Sequence, residues 1–64
     1  MNTIEEQVIY CMDQHRKAFT DWKEGSIDKY WIDENDSAII CIKYNSGKWW
    51  HYRINSRDKT VIWW

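Results

Sequence analysis

A chain of 64 residues is close to the lower size limit for a domain that folds on its own. Its nine Lys and Arg residues nearly balance ten Asp and Glu residues, and the net charge of −1 argues against a whole-protein electrostatic grip on nucleic acid. Six Trp, four Tyr and one Phe residues supply aromatic bulk. Some of these rings must form the core, and the others need a separate explanation.

No apolar run approaches the roughly 20 residues that cross a bilayer, and the N-terminus lacks a basic-then-apolar signal pattern. We therefore expect a cytoplasmic protein with no membrane partner. In that compartment the two cysteines are expected to be free thiols. The small size and the lack of linkers or targeting signals suggest an origin in a prokaryote, or in a phage or other mobile element.

The first element is predicted to be an amphipathic helix over about residues 3–24. Thr3 and Glu6 form a capping-box pattern at its start, and Gly25 suits a left-handed stop after its end. The apolar residues between these points fall on one stripe at helical spacing. They are Ile4, Val8, Cys11, Met12, Ala18, Phe19 and Trp22.

His15 lies at the centre of this apolar stripe. A histidine in such a place usually satisfies a buried polar atom, and the hydroxyl group of Tyr30 or Tyr52 is the expected partner. A pH-sensitive role is the less favoured alternative.

After Ser26 the pattern changes to period two, which predicts strands over about residues 28–33, 37–44, 48–55 and 60–64. Asn45-Ser46-Gly47 fits a three-residue hairpin loop with glycine at the left-handed position. This loop sets Ile42 opposite Trp50 and sends alternate residues to opposite faces.

The two outer strands are less well determined than the central hairpin. A three-residue loop over 34–36 would set Ile32 opposite Ala38, although a slip of one residue would exchange the two faces. The register of the last strand is open, so either Trp63 or Trp64 points to the core.

The predicted fold is a single α+β domain over residues 1–64, with one helix packed on a three- to four-stranded antiparallel meander in two layers. The helix is expected to cover the apolar face of the sheet. That face is formed by Tyr30, Ile32, Ala38, Ile40, Ile42, Trp50, Tyr52 and Ile54. No element of the chain remains to cover the opposite face.

The uncovered face is the candidate binding site, because it mixes aromatic and basic side chains. Its residues are Lys29, Trp31, Ile39, Cys41, Lys43, Trp49, His51 and Arg53. An exposed apolar patch with Trp and Arg is typical of a protein interface, including a homodimer. Aromatic rings between cations also bind single-stranded nucleic acid. A third interpretation is a solvated surface on which basic side chains cover the rings.

The candidate metal ligands are two Cys–His pairs, Cys11 with His15 and Cys41 with His51. Zinc accepts two thiolates and two imidazoles, but this spacing matches no standard zinc finger. The predicted register also sends the two pairs to opposite faces of the sheet. We therefore expect no metal site and no cofactor.

Catalysis finds little support in the sequence. There is no Gly-rich phosphate loop, no Ser-His-Asp order and no evident third group beside Cys41 and His51. The sequence favours a non-enzymatic interaction module that binds a protein partner, or a second copy of itself, through the face around Trp31, Trp49 and Arg53. The alternatives are single-stranded nucleic acid and a small ligand stacked on Trp.

Overall fold

A computed structural model describes residues 3–64 and shows one helix followed by a four-stranded antiparallel open sheet. The elements are α1 (Ile4–Lys17), β1 (Ile27–Ile32), β2 (Ile39–Tyr44), β3 (Trp49–Ile54) and β4 (Val61–Trp63). Strands that are consecutive in the chain are neighbours in the sheet, so the predicted meander is confirmed. Met1 and Asn2 lie outside the described residues.

The start of α1 has the predicted capping box. The Glu6 backbone N–H donates to Thr3 Oγ1 over 3.2 Å, and the Thr3 backbone N–H donates to Glu6 Oε1 over 3.1 Å. The predicted stripe faces the sheet, because Val8, Cys11 and His15 are buried. Local hydrogen bonding and apolar spacing therefore account for the first part of the helix.

The helix ends at Lys17, so the prediction of a helix to residue 24 is wrong. Seven further helical residues would have extended the axis by about 10 Å. Instead the chain turns after Ala18, and the Phe19 and Trp22 rings close against His15 with centroid distances of 5.2 and 4.9 Å. Gly25 has the expected positive φ of 80°, but it leads into β1 rather than ending the helix.

The central hairpin has the predicted register, with Ile42 opposite Trp50. Gly47 has a φ of 93° at the third loop position, and the Tyr44 backbone N–H donates to the Lys48 carbonyl over 2.9 Å. A positive φ is available to glycine without steric cost, so this residue sets the register of both strands.

The predicted pairing of β1 is wrong by two residues. Ile32 lies opposite Ile40 rather than Ala38, and Tyr30 lies opposite Ile42. The connection is longer than predicted because the Asp36 carboxylate accepts the Ala38 backbone N–H over 2.9 Å and holds an extra turn. A shift of two residues leaves every side chain on its predicted face.

The core differs from the prediction at the β1 edge. Tyr30, Ile32 and Ala38 are exposed, because α1 packs mainly on β3 and β4. Tyr44, at the end of β2, is fully buried instead. The buried hydrophobic cluster consists of Val8, Cys11, Ile40, Ile42, Tyr44 and Tyr52.

The pairing of β4 settles the direction of the last two residues. Trp63 lies opposite Tyr52 and packs against the core. Trp64 continues the ladder through two hydrogen bonds with the His51 backbone, of 3.0 and 3.2 Å, and so belongs to the opposite face.

A chain of hydrogen bonds crosses the core. His15 Nδ1 lies 2.6 Å from the Tyr52 hydroxyl, which lies 2.7 Å from the Tyr44 hydroxyl. Of the two hydroxyl groups predicted as partners of His15, that of Tyr52 is the one it contacts. Burial raises the pKa of Tyr44 to about 12 and also raises the pKa of Tyr52. All three polar groups are therefore paired and uncharged inside the core.

Removing the central hydroxyl of this chain should be costly. Tyr52→Phe leaves both His15 and Tyr44 without a partner, and we expect a loss of about 2–3 kcal/mol in the free energy of unfolding. Tyr10→Phe is the control, because its hydroxyl donates to the exposed Lys59 carbonyl over 2.6 Å. Denaturant unfolding of both variants tests this, and equal losses would contradict it.

His15 should also make stability depend on pH. Burial lowers the pKa of His15, and Glu24 opposes this shift only in part. In the unfolded chain the histidine pKa is about 6.5. As the pH falls through this value, His15 is protonated in the unfolded chain before it is protonated in the folded chain. The contribution of uncharged His15 to the free energy of unfolding is complete above about pH 6.5 and is lost as the pH falls below that value.

Denaturant unfolding measured between about pH 7.5 and 5.5 should show this loss. His15→Gln should flatten the profile. A flat profile for the wild-type protein would contradict the expectation.

Candidate binding face

The side of the sheet opposite α1, here called the open face, carries every residue predicted for the binding site. Strand alternation places them together, and no helix or strand of residues 3–64 covers them. They are Lys29, Trp31, Ile39, Lys43, Trp49, His51 and Arg53. Cys41 lies on this face too, as its predicted pairing with His51 requires, and the structure adds Ile62 and Trp64.

The open face is organised in three cross-strand rows. The first row is basic and aromatic, and consists of Lys29, Lys43 and Trp49. The middle row contains the thiol, and consists of Trp31, Cys41, His51 and Trp64. The third row is apolar with one cation, and consists of Ile39, Arg53 and Ile62.

Four rings form a continuous aromatic strip across the open face. Trp31 and Trp49 have ring centroids 5.4 Å apart, and Trp49 lies 4.9 Å from the His51 ring. His51 and Trp64 are stacked at 5.1 Å with an interplanar angle of 4°. Cys41 lies in the same row as three of these rings and is only 1% exposed. The aromatic strip therefore both presents a surface and contributes to burial of the thiol.

The indole rings of the aromatic strip remain in contact with solvent. Trp31 is 36% exposed, Trp49 is 47% exposed and Trp64 is 52% exposed. Exposed aromatic surface of this kind is typical of sites that another molecule covers.

Within the described part of the chain, the cations of the open face have no carboxylate within ion-pair distance. Among residues 3–64, the only ion pair joins Lys23 and Asp21. Lys29 Nζ lies 6.0 Å from the Trp31 ring centroid, at the limit of a cation–π contact. Lys43 and Arg53 lie at the two sides of the aromatic strip, in the first and third rows. Their charges are therefore available to a partner.

A cluster of three chemically active side chains also lies on this face. One carboxylate oxygen of Asp33, the Cys41 thiol sulfur and one His51 ring nitrogen all lie within 4.8 Å of one another. Asp33 is not among the site residues predicted from the sequence. The sequence does carry a signal for it, because Asp33 directly follows β1 and is two residues after Trp31. Side chains alternate along a strand, so Asp33 is expected on the same face as Trp31.

This cluster resembles the order of a thiol nucleophile, a base and an orienting carboxylate, but its environment opposes that chemistry. Burial raises the pKa of the Cys41 thiol, and the negative charge of Asp33 raises it further. The thiolate is the nucleophile, so both effects suppress it. The nearly complete burial of Cys41 also keeps a substrate away from the sulfur atom.

The second Cys–His pair lies on the other side of the sheet, as predicted. Cys11 and His15 are buried beneath α1, where burial raises the pKa of Cys11 to about 11. Both cysteines are free thiols. The four residues do not converge on one site, because the sheet separates the pairs.

No known protein family, curated protein or solved structure matches this chain. Among the described residues, no helix has the length and apolar character needed to cross a bilayer. The open face is therefore the feature from which a function can be inferred.

The sidedness of adjacent residues Trp49 and Trp50 can be tested by stability. Trp50 is half-buried on the core side, with its ring 5.0 Å from His15 and 5.8 Å from Tyr44. We expect Trp50→Ala to cost about 3 kcal/mol or more. Trp49→Ala removes an exposed ring and should cost less than about 1 kcal/mol. Denaturant unfolding measures both values, and the reverse ranking would contradict the register.

Proposed function

We propose that this chain is a non-enzymatic interaction module that binds a partner protein through the open face. The observation that carries the proposal is the aromatic strip, which crosses all four strands while its three indole rings stay 36–52% exposed. Trp and Arg are the side chains that most often dominate binding energy at protein interfaces. Here Trp49 lies in the first row and contacts both Trp31 and His51 in the aromatic strip, and Arg53 lies in the third row.

The chemistry of the open face favours a partner with an apolar centre and carboxylates at its edge. Lys43 and Arg53 flank the aromatic strip without carboxylates of their own. A second copy would present the same cations, Lys29, Lys43 and Arg53, and like charges across an interface are unfavourable. Charge complementarity therefore supports a different protein over a homodimer.

Single-stranded nucleic acid is the alternative occupant, and the geometry supports it less well. The rings of the aromatic strip pack on one another, so part of the surface that bases would stack on is already covered. Lys29 lies over Trp31, which leaves Lys43 and Arg53 for phosphate contacts. Two cations on a chain of net charge −1 supply little phosphate affinity.

We also propose that the protein is cytoplasmic. Both cysteines are free, and they lie on opposite sides of the sheet. Reduced thiols are the usual state in a cytosolic protein.

The decisive experiment compares two substitutions of similarly exposed apolar side chains. Trp49→Ala changes the aromatic strip, whereas Ile9→Ala changes the helix surface, where Ile9 is 52% exposed. A protein captured from the native cell extract is purified and titrated against the wild type and both variants. We expect Trp49→Ala to weaken binding at least about tenfold, because Trp residues often act as hot spots at protein interfaces. Ile9→Ala should bind like the wild type.

Three results would overturn this function. The purified partner could bind the Trp49→Ala variant as tightly as the wild type. The chain alone could sediment as a dimer that Trp49→Ala dissociates, which would make the partner a second copy. An oligonucleotide could bind with an affinity that falls steeply with salt concentration and with Trp49→Ala, which would identify nucleic acid.

A further inference from the structure

The cluster of Asp33, Cys41 and His51 shares only the His51 ring with the aromatic strip. We propose that these three side chains form a binding site for a zinc-type divalent cation, with the thiolate, imidazole and carboxylate as ligands. Their candidate ligand atoms already lie within 4.8 Å of one another. The inference is independent of the proposed function, because it concerns the isolated chain and a metal ion alone.

The distances require only a small adjustment. Zinc binds sulfur at about 2.3 Å and nitrogen or oxygen at about 2.0–2.2 Å, so tetrahedral ligand atoms lie about 3.3–3.7 Å apart. The present separations of up to 4.8 Å then close by about 1 Å. A thiolate with an imidazole selects zinc over magnesium or calcium, which prefer all-oxygen sites. The fourth position is left for water, as in zinc sites with three protein ligands.

The backbone holds two of the three ligands in place. Cys41 and His51 lie directly opposite each other on the two central strands. The His51 ring is also held by Trp49 on one side and by the parallel Trp64 ring on another. A site on sheet strands, with its ring oriented by neighbours, is close to the geometry that a bound ion needs.

The third ligand comes from a loop and can complete the site. Asp33 directly follows β1, and its Oδ2 atom accepts the Asn35 backbone N–H over 3.0 Å. One carboxylate oxygen therefore holds the loop, while the other is left for an ion. Among residues 3–64, Asp33 has no Lys, Arg or His partner within 4.0 Å. A cation would supply the charge compensation that the protein does not.

Cobalt(II) is the probe, because its spectrum reports both thiolate ligation and tetrahedral geometry. The full chain is reduced, freed of metal and titrated with Co²⁺ in the absence of any partner. We expect one Co²⁺ per chain, a thiolate-to-cobalt charge-transfer absorption and its loss when Zn²⁺ is added. Mg²⁺ should not displace the cobalt.

Matched variants assign the ligands. Cys41→Ala should remove the charge-transfer absorption, whereas Cys11→Ala, which changes the thiol on the other side of the sheet, should retain it. Asp33→Asn should weaken binding at least about tenfold. The neighbouring Glu34→Gln should not, because Glu34 is exposed and lies outside the cluster. His51→Gln should weaken binding like Asp33→Asn.

The proposal is overturned if no charge-transfer absorption appears, or if it survives in Cys41→Ala. Equal affinity for Asp33→Asn and Glu34→Gln would also overturn it. Asp33 lies at the edge of the sheet, so this last comparison decides the matter even where Cys41→Ala fails to fold. Failure of the metal site would leave partner binding intact, and failure of partner binding would leave the cobalt spectrum unchanged.

Discussion

The hydrogen-bonded chain from His15 through Tyr52 to Tyr44 is the interaction on which the rest of the structure depends. It joins α1 to the two central strands inside an otherwise apolar core. Buried polar groups must be paired, so the helix can dock well only where His15 meets the Tyr52 hydroxyl. This pairing selects the side of the sheet that the helix covers. Strand alternation then sends every second residue to the open face.

The six Trp residues divide evenly between the two sides of the sheet. Trp22, Trp50 and Trp63 surround His15 on the core side, with centroid distances of 4.6–5.0 Å. The open face carries the other three, namely Trp31, Trp49 and Trp64. The aromatic content therefore has two separate physical roles. The first set excludes water from a small core, and the second leaves apolar surface for another molecule.

The two proposals use different depths of the same face. The outer indole surface is exposed and suits a large partner, whereas Cys41 lies below it and is accessible only to something small. The pKa of Cys41, raised by burial and by Asp33, disfavours a reactive thiolate in the metal-free chain. A metal ion changes that balance because its positive charge stabilises the thiolate and the carboxylate together. Neither proposal needs a catalytic step.

The sequence by itself determined the features that depend on short-range rules. The capping box placed the start of α1, and Gly47 set the central hairpin. Period-two alternation then assigned Trp31, Trp49 and Arg53 to one face. These predictions succeed because a cap, a turn and a pleat are each decided by residues within a few positions of one another.

Only the tertiary structure decided the features that depend on distant contacts. The helix ends at Lys17, where Trp22 packs against His15 and Tyr44, and the basic residues of its last turn are too weak a local signal to mark that point. Trp63 reaches the core, and Trp64 the open face, because β4 pairs with β3 in one particular register. Asp33 directly follows β1, Cys41 lies on β2 and His51 lies on β3. The three side chains therefore meet only because these strands pair. Such contacts arise from packing between separate parts of the chain, which residue spacing does not encode.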